Sequence, residues 1–553
     1  LLNKTHKLIW NLSVAGLAFL LALPTLSMIV LAFKPAGLAW QHFMINVLPH
    51  YLSQTMQLLA GTGLLASLLG VTLAWLVTFY NFPLRNLLQW LVLLPLSIPA
   101  YIVSFTFVDF FNYAGPLQTN LRAFMGWQKP GDYYFPDIRS MLGAICVLGF
   151  SLYPYVYLAA RAVFLKQSMN QVDVARTLGK TPMQVLWNII LPQARPAIIV
   201  GVMMVLMECL NDIAAVGFFG VQTLTLGIYA AWLGQSDLGS AAQLALVLLL
   251  FVGLLIYIEK RARGSQLGQT LQTRTKPIER KNVNRGWLAT FICLTPFAIG
   301  FALPAILLLS HAMRRLGNFA DENFISAATN SLALAIAASV ATLGVGLCFA
   351  YANRLTGSTF IRRLTNMSSL GYAVPGTVVA IGVLVASGQF DNGLDQWMRS
   401  QFNVSTGLVL SGGVGAILFA YVTRFVMMAF GTLESGLQKV TPNMDAVART
   451  LGRGAWTVFR DIHMPLMRPA LTTAAILVFV DAMKELPATL LLRPFGFSNL
   501  ATQVFELASL EKIEDSSVPA LALIIVGLIP VILLSLNLRD PAIKSPQLMG
   551  NEK

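Results

Sequence analysis

The chain has 553 residues, 56% of them hydrophobic and only 11% charged, with a mean hydropathy of +0.68. Soluble domains carry about 25% charged residues, so this composition excludes a soluble globular protein and indicates a polytopic membrane protein. The net charge of +14 does not call for nucleic acid. Most of the Lys and Arg fall in the N-terminus, the central linker and loops that one topology places on a single face, which is the bias of cytoplasmic loops.

In chain order, apolar runs long enough to cross a bilayer fall near 8–33, 53–80, 87–111, 140–164, 196–216 and 240–258. They resume near 287–312, 326–353, 364–388, 406–431, 469–492 and 517–537. A crossing helix needs about 20 apolar residues, so the sequence predicts an all-α polytopic membrane protein of about twelve transmembrane helices, as two parallel six-helix repeats. The first run is too long for a signal-peptide core and no small-x-small cleavage site follows it, so it reads as a retained span. The expected organisation is a first transmembrane half at 1–258, a basic cytoplasmic linker at 259–286 and a second transmembrane half at 287–553.

The halves are diverged copies in the same orientation. Gln54-Thr55-Met56-Gln57-Leu58 aligns with Asn330-Ser331-Leu332-Ala333-Leu334, Gly70 with Gly346, and Pro99 with Pro375. Parallel repeats in a transporter place the pathway on a pseudo-two-fold axis along the membrane normal. Pro95, Pro99 and Pro375 are expected to kink the third span of each half. The aromatic segment 112–139, with Trp127 and Tyr133-Tyr134-Phe135, reads either as a contact for an outer partner or as an aromatic belt. Glu506, Glu511, Glu514 and Asp515 either bridge to such a partner or are solvated. Cys146, Cys209, Cys293 and Cys348 have no C-x-x-C spacing and read as small buried hydrophobes. The five His are scattered.

The clearest repeat lies between spans four and five of each half. Residues 173–197 read DVARTLGKTPMQVLWNIILPQARPA and residues 446–470 read AVARTLGRGAWTVFRDIHMPLMRPA. In the first loop (165–195), Val172 to Leu178 is expected to form a short helix that Gly179 ends in the left-handed conformation. Thr181-Pro182 then caps and starts a second helix, which Pro192 is expected to stop. The second loop (432–468) follows the same plan around Gly452. A polar loop kept in both halves presents two equivalent surfaces to a two-fold partner.

Both loops resemble the EAA loop of ABC importer permeases, E-A-A-x3-G-x9-I-x-L-P. The first copy matches with Asp173-Val174-Ala175, Gly179, Ile189 and Leu191-Pro192. The second matches with Ala446-Val447-Ala448, Gly452, Ile462 and Met464-Pro465 but has no acid at its first position, Asp445 standing one residue earlier. The resemblance implies that Asp173, Ala175, Arg176, Gly179, Pro192, Ala448, Arg449, Gly452 and Pro465 form coupling loops. These would dock on two copies of an ABC ATPase subunit, which holds ATP and Mg. The chain has no G-x-x-x-x-G-K-[ST] phosphate loop and is expected to be a transport subunit rather than an enzyme. It is expected to bind no cofactor itself.

The fifth spans carry acids. Met207-Glu208-Cys209-Leu210-Asn211-Asp212 aligns with Val480-Asp481-Ala482-Met483-Lys484-Glu485, and each acid pair is spaced i, i+4 on one helix face. A charge at mid-bilayer costs at least about 2.5–3.5 kcal/mol, so these groups are expected to face an interior, a water-filled path or each other. Glu208, Asn211, Asp212, Asp481, Lys484 and Glu485 are therefore candidates for a translocation path or gate. Hard carboxylate oxygens suit hard cations, so a passage at Glu208, Asp212, Asp481 and Glu485 would attract a cation and repel sulfate, molybdate or phosphate. The alternative is structural: Lys484, Asn211 and nearby backbone neutralise the acids and lock the fifth spans.

The run Glu208-x-x-Asn211-Asp212-Ile213 with Phe218-Phe219-Gly220-Val221 and Thr223-Leu224-Thr225 resembles the first half of ferric-iron ABC permeases. Lys484 to Pro494 resembles their second half. That likeness implies iron(III) as substrate, with a transient contact at Glu208, Asp212, Asp481 and Glu485, a periplasmic substrate-binding protein as partner, and a multi-pass place among the lipids of the bacterial inner membrane with both termini cytoplasmic. Relatives of this architecture also move thiamine or polyamines. An ATP-independent secondary transporter would lack the paired loops. A membrane enzyme would need a nucleophile–base or metal constellation that the sequence does not display.

Overall fold

The computed structural model describes residues 4–33, 44–165, 175, 177–264, 281–282, 286–368 and 374–537. In lipid every backbone N–H and C=O must be satisfied within the protein, so apolar runs of this length become helices. Among the described residues eleven helices are long and apolar enough to span, and a bent pair makes a twelfth. This agrees with the two sets of six. The sixth helix, Leu238–Gly264, runs past 258 into the expected linker, and the seventh begins at Gly286. The remainder of that linker is described only at Lys281-Asn282, which pairs in parallel with Tyr80-Asn81.

The prolines break the third span rather than kink it. Arg85–Ser97 and Ala100–Met125 meet at 91°. Pro99 is extended (φ −54°, ψ 137°) and caps the helix starting at Ala100. Pro375 has nearly the same conformation (φ −55°, ψ 144°) before the ninth span, Gly376–Phe402. Pyrrolidine cannot donate the backbone hydrogen bond a continuous helix needs there, so both copies restart the helix at the same place.

Pro192 does not stop its helix, contrary to the sequence expectation. Residues Leu186–Ile190 form a π turn that passes directly into the fifth span, Leu191–Asn211. The second loop repeats this, with a π turn at Phe459–His463 leading into the eleventh span, Met464–Lys484, and Pro465 near its start. Leu191 N–H reaches back to Leu186 O, and Met464 N–H to Phe459 O. The wider turn displaces the carbonyl that a proline ring would otherwise strike.

By packing, the described residues divide into two units. One comprises 1–49, 224–252 and 317–506; the other comprises 50–223, 253–316 and 507–553. These units cut across the two sequence halves, because the first and last spans of a half are assigned with the middle spans of the other. The physical reason is visible in the first unit, where the first span (Lys4–Ala32) packs on the ninth. Ser27 Oγ donates to Gly382 O at 2.9 Å, and Val14, Ala18 and Leu21 join a core with Phe349, Val426 and Phe430. In the second unit the seventh span packs on the twelfth, Ile513–Asn537.

Each unit also contains the same glycine crossing. A Cβ on Gly70 of the second span (Leu48–Phe79) would lie 2.8 Å from Tyr157 N and 2.9 Å from Tyr153 O of the fourth, Met141–Phe164. A Cβ on Gly346 of the eighth span (Glu322–Thr356) would lie 3.1 Å from Phe430 N of the tenth, Val414–Gln438. The missing side chain lets the two helices approach backbone to backbone.

Candidate functional site: the repeated loops and the acids of the fifth spans

Each loop turns at its glycine by the same device. Gly179 has φ +77° and Gly452 φ +72°. Lys180 N–H donates to Ala175 O at 3.0 Å, and Arg453 N–H donates to Ala448 O at 3.0 Å. A six-residue bond closing over a left-handed glycine is a Schellman ending, and glycine adopts that conformation without a Cβ penalty. The expected elbow is therefore present in both copies. In the first, Thr181 and Gln184 then form a reciprocal cap: Gln184 N–H donates to Thr181 Oγ1 (3.3 Å) and Thr181 N–H to Gln184 Oε1 (3.1 Å).

The side chains sort into inner and outer faces. Ala175 and Ala448 are buried, whereas Leu178 and Leu451, beside the elbows, are 75% and 73% exposed. Met183 and Trp456, another equivalent pair, are exposed as well. The second loop encloses a groove of about 510 Å³ lined by Met444, Val447, Leu451, Val458 and Ile462, with Arg453 and Asp461 among its lining residues. Leu178, Leu451, Met183 and Trp456 thus form exposed apolar surface around turns held by backbone bonds. Asp173 and Arg176 lie outside the described residues. Arg449 belongs to the helix Pro442–Thr450, and Pro192 and Pro465 follow the π turns.

Asp445 is held inward. Arg354 Nη2 donates to Asp445 Oδ2 at 2.8 Å, and His463 Nε2 lies 2.7 Å from Oδ1. Burial pushes the Asp445 carboxyl up, but its bonds to His463 and Arg354 outweigh burial and hold it below the usual carboxylate range.

The fifth and eleventh spans both stop at their second acid, earlier than the expected ends at 216 and 492. Asp212 (ψ 112°) and Glu485 (ψ 111°) leave the helical conformation. Each carboxylate then accepts a backbone bond from the short helix that follows: Ala215 N–H to Asp212 Oδ1 at 2.8 Å, Ala488 N–H to Glu485 Oε1 at 3.2 Å. Thus both acids serve as helix caps. Glu485 has a second partner that sequence reasoning missed. Arg424 of the tenth span lies 2.5 Å from its Oε1, with the two side chains only 8% and 4% exposed. The sequence expectation named Lys484, Asn211 and nearby backbone as neutralisers, and Arg424 is an addition to that set. Arg424 carried a signal, a cation deep in an apolar run. Tyr421 Oη donates to Glu485 O at 3.2 Å.

Glu485 is therefore an ion-paired group within its unit rather than an open carboxylate. Glu208, Asn211, Asp212, Asp481 and Lys484 are half-buried. Among the described residues, neither unit gathers three His, Cys, Asp or Glu side chains into a group able to hold a metal. The acids near the last outer loop also have partners in their own units: Glu506 pairs with Arg493, Glu511 with Arg139, and Glu514 with Arg314 and Arg315.

A helical membrane protein with paired glycine-elbow loops and two broken fifth spans has the architecture of a transport permease. The family of inner membrane components of binding-protein-dependent transport systems matches the chain twice, at residues 66–258 and 342–540, and the chain belongs to it as an ABC importer permease. Relatives include the Fe(3+)-transport system permease protein FbpB 2 of Haemophilus influenzae, 27% identical over 87% of this chain and 89% of that protein. The putative 2-aminoethylphosphonate transport system permease protein PhnV of Salmonella typhimurium is 26% identical over 42% of this chain and 80% of its own length. The sulfate transport system permease protein CysT of the same organism is 27% identical over 34% of this chain and 66% of its own length.

Proposed function

We propose that this chain is the membrane subunit of an importer for iron(III), which a periplasmic binding protein delivers and two copies of a separate ATPase drive. The observation that carries the coupling half of this reading is the duplicated glycine elbow with an exposed leucine beside it. The substrate half is supported by likeness to an Fe(3+) permease along nearly the whole chain. The partial matches to phosphonate and sulfate permeases favour a second reading, the same machine carrying another small substrate.

In the proposed mechanism the sequence halves 1–258 and 287–553 act as a pseudo-symmetric pair joined by the cytoplasmic linker 259–286, with both termini cytoplasmic. Closure of the ATP-loaded partner subunits presses on Ala175–Gly179 and Ala448–Gly452. The continuous helix through each π turn carries that movement into the fifth and eleventh spans. The access of the groups at the end of each span, Glu208, Asn211 and Asp212 in one unit and Asp481 and Lys484 in the other, then alternates. Half-buried carboxylates there favour a cation and disfavour an oxyanion. Asp173, Arg176, Arg449, Pro192 and Pro465 complete the docking loops.

The test is ATP hydrolysis by the complex reconstituted in liposomes, with binding protein added empty, iron-loaded, or loaded with thiamine, 2-aminoethylphosphonate or sulfate. Stimulation by the iron-loaded form alone is expected. Stimulation only by another load overturns iron, and stimulation by none overturns the coupled importer.

A further inference from the structure

The two loops share a glycine elbow, and the second carries a side-chain anchor whose residues the first half does not repeat in sequence. In the second, Asp445 sits in the first turn of Pro442–Thr450 and joins three other elements. Arg354, at the end of the eighth span, bonds Asp445 Oδ2 through Nε (3.3 Å) and Nη2 (2.8 Å), while its Nη1 donates to Leu437 O (3.0 Å) and Val440 O (2.9 Å). His463, in the π turn, bonds Asp445 Oδ1 through Nε2 (2.7 Å) and Tyr351 Oη through Nδ1 (2.6 Å). The carboxylate thus binds this helix to the end of the eighth span and the base of the eleventh, and Arg354 extends the tie to the end of the tenth.

The sequence explains why this acid points inward. Asp445 precedes by one residue the position that carries Asp173 in the first loop. One residue on an α-helix is a rotation of about 100°, enough to turn a side chain from a docking face toward the membrane helices. None of the quartet is repeated in the first half. The offsets that align the halves put Val172 at the place of Asp445, Ile190 at His463, Trp75 at Tyr351 and Thr78 at Arg354. Ile190 is buried like His463, so an apolar side chain stands where His463 makes a charge-assisted contact. Apolar contacts are non-directional, whereas a carboxylate held by two partners fixes position and angle together.

We infer that Asp445 is a positioning residue that clamps the second docking loop to the eighth and eleventh spans, making that loop the stiffer of two unequal transmission elements. The inference rests on the proposed docking role of the loops. In the clamp, Arg354 and His463 hold Asp445 directly, and Tyr351 orients His463.

The experiment compares wild type, Asp445→Asn, Arg354→Lys and the double variant Asp445→Val/His463→Ile, which installs the first-half residues. Each is reconstituted with the ATPase subunit and loaded binding protein. Readouts are assembly by size exclusion, the ratio of stimulated to unstimulated hydrolysis, and substrate moved per ATP. In assembled complexes of Asp445→Asn and the double variant, the stimulation ratio and the substrate moved per ATP are expected to fall about five- to tenfold, the scale of an ordinary coupling free energy. A merely structural role would lower the yield of complex and leave both ratios intact, which overturns the clamp. Should Asp445→Asn not assemble, Arg354→Lys decides: reduced stimulation in an assembled complex supports the clamp, and unchanged stimulation overturns it. A wild-type complex without stimulation overturns the importer reading and the clamp with it. A stimulated wild type with an equally stimulated Asp445→Asn overturns the clamp alone.

Discussion

Replacing one member of the Arg424–Glu485 pair separates a structural from a transporting role for the acid at the end of the eleventh span. The charged atoms are 2.5 Å apart and the side chains 8% and 4% exposed, so solvent screens the pair little. Removing a single partner of such a pair typically destabilises by about 3–5 kcal/mol, because a buried charge loses its counter-charge. Arg424→Met leaves Glu485 with the 3.2 Å bond from Ala488 N–H; Glu485→Gln takes from Arg424 the carboxylate that faces it. Each single variant should lower the thermal midpoint of the purified protein, at fixed scan rate, by several degrees. The double variant should be less destabilised than the sum of the singles, with an interaction of about 1–3 kcal/mol in a double-mutant cycle. Additive singles, or a Glu485→Gln protein of unchanged midpoint that no longer transports, would refute the structural reading and return Glu485 to the path.

Three further outcomes are expected. Gly179→Leu and Gly452→Leu leave room for the side chain, since nothing lies within 4 Å of an added Cβ. They do force a left-handed leucine, at about 1–2 kcal/mol, so substrate moved per ATP should fall while the permease remains folded; unchanged coupling would sink the docking claim. Gly70→Ala should destabilise by about 1–3 kcal/mol through overpacking and more than Gly346→Ala, because its Cβ would meet backbone at 2.8 Å rather than 3.1 Å; equal melting shifts would contradict this. Asp445 has a folded-state pKa below its unfolded value, so its stabilisation is present above the ordinary Asp range and is lost as pH falls through the depressed value. The midpoint difference between wild type and Asp445→Asn should accordingly hold near neutrality and shrink only in strong acid, as a melting series against pH would register.

Backbone features were the more legible from sequence, and for a physical reason. Gly179 and Gly452 are readable because few residues but glycine end a helix in the left-handed region, and Pro99 and Pro375 because a proline in extended backbone stands just before a helix start. Hydropathy located the spans, but it could not place their ends at Asp212 and Glu485, since a carboxylate that caps a following helix looks in sequence like any acid inside the membrane. It could not foresee the π turns either, so Pro192 read as a terminator. Partner choice was the least legible. Lys484 is adjacent to Glu485 and was the natural neutraliser, whereas Arg424 stands 61 positions earlier and meets the acid only because the tenth and eleventh spans pack together.

The differences between the halves follow one pattern. Backbone devices are duplicated: the elbows, the π turns, the proline starts, the broken fifth spans and the glycine crossings. Two charged contacts of the second half are not matched by the residues aligned with them. Glu485 meets Arg424, while the residue aligned with Arg424 is Ser151, whose hydroxyl bonds its own helix at Val147 O. Asp445 and His463 align with Val172 and Ile190. A duplicated chain can keep one set of movements only if hinges and turns survive in both copies, because these fix how each helix is steered. Side chains that only stiffen those movements are free to diverge once both copies lie on one polypeptide, where no symmetry operation forces a substitution to occur twice. The proposed ATPase pair would then press on two loops of equal shape and unequal stiffness. The proposed clamp and the buried Arg424–Glu485 pair make the second half's response to that force depend on charge.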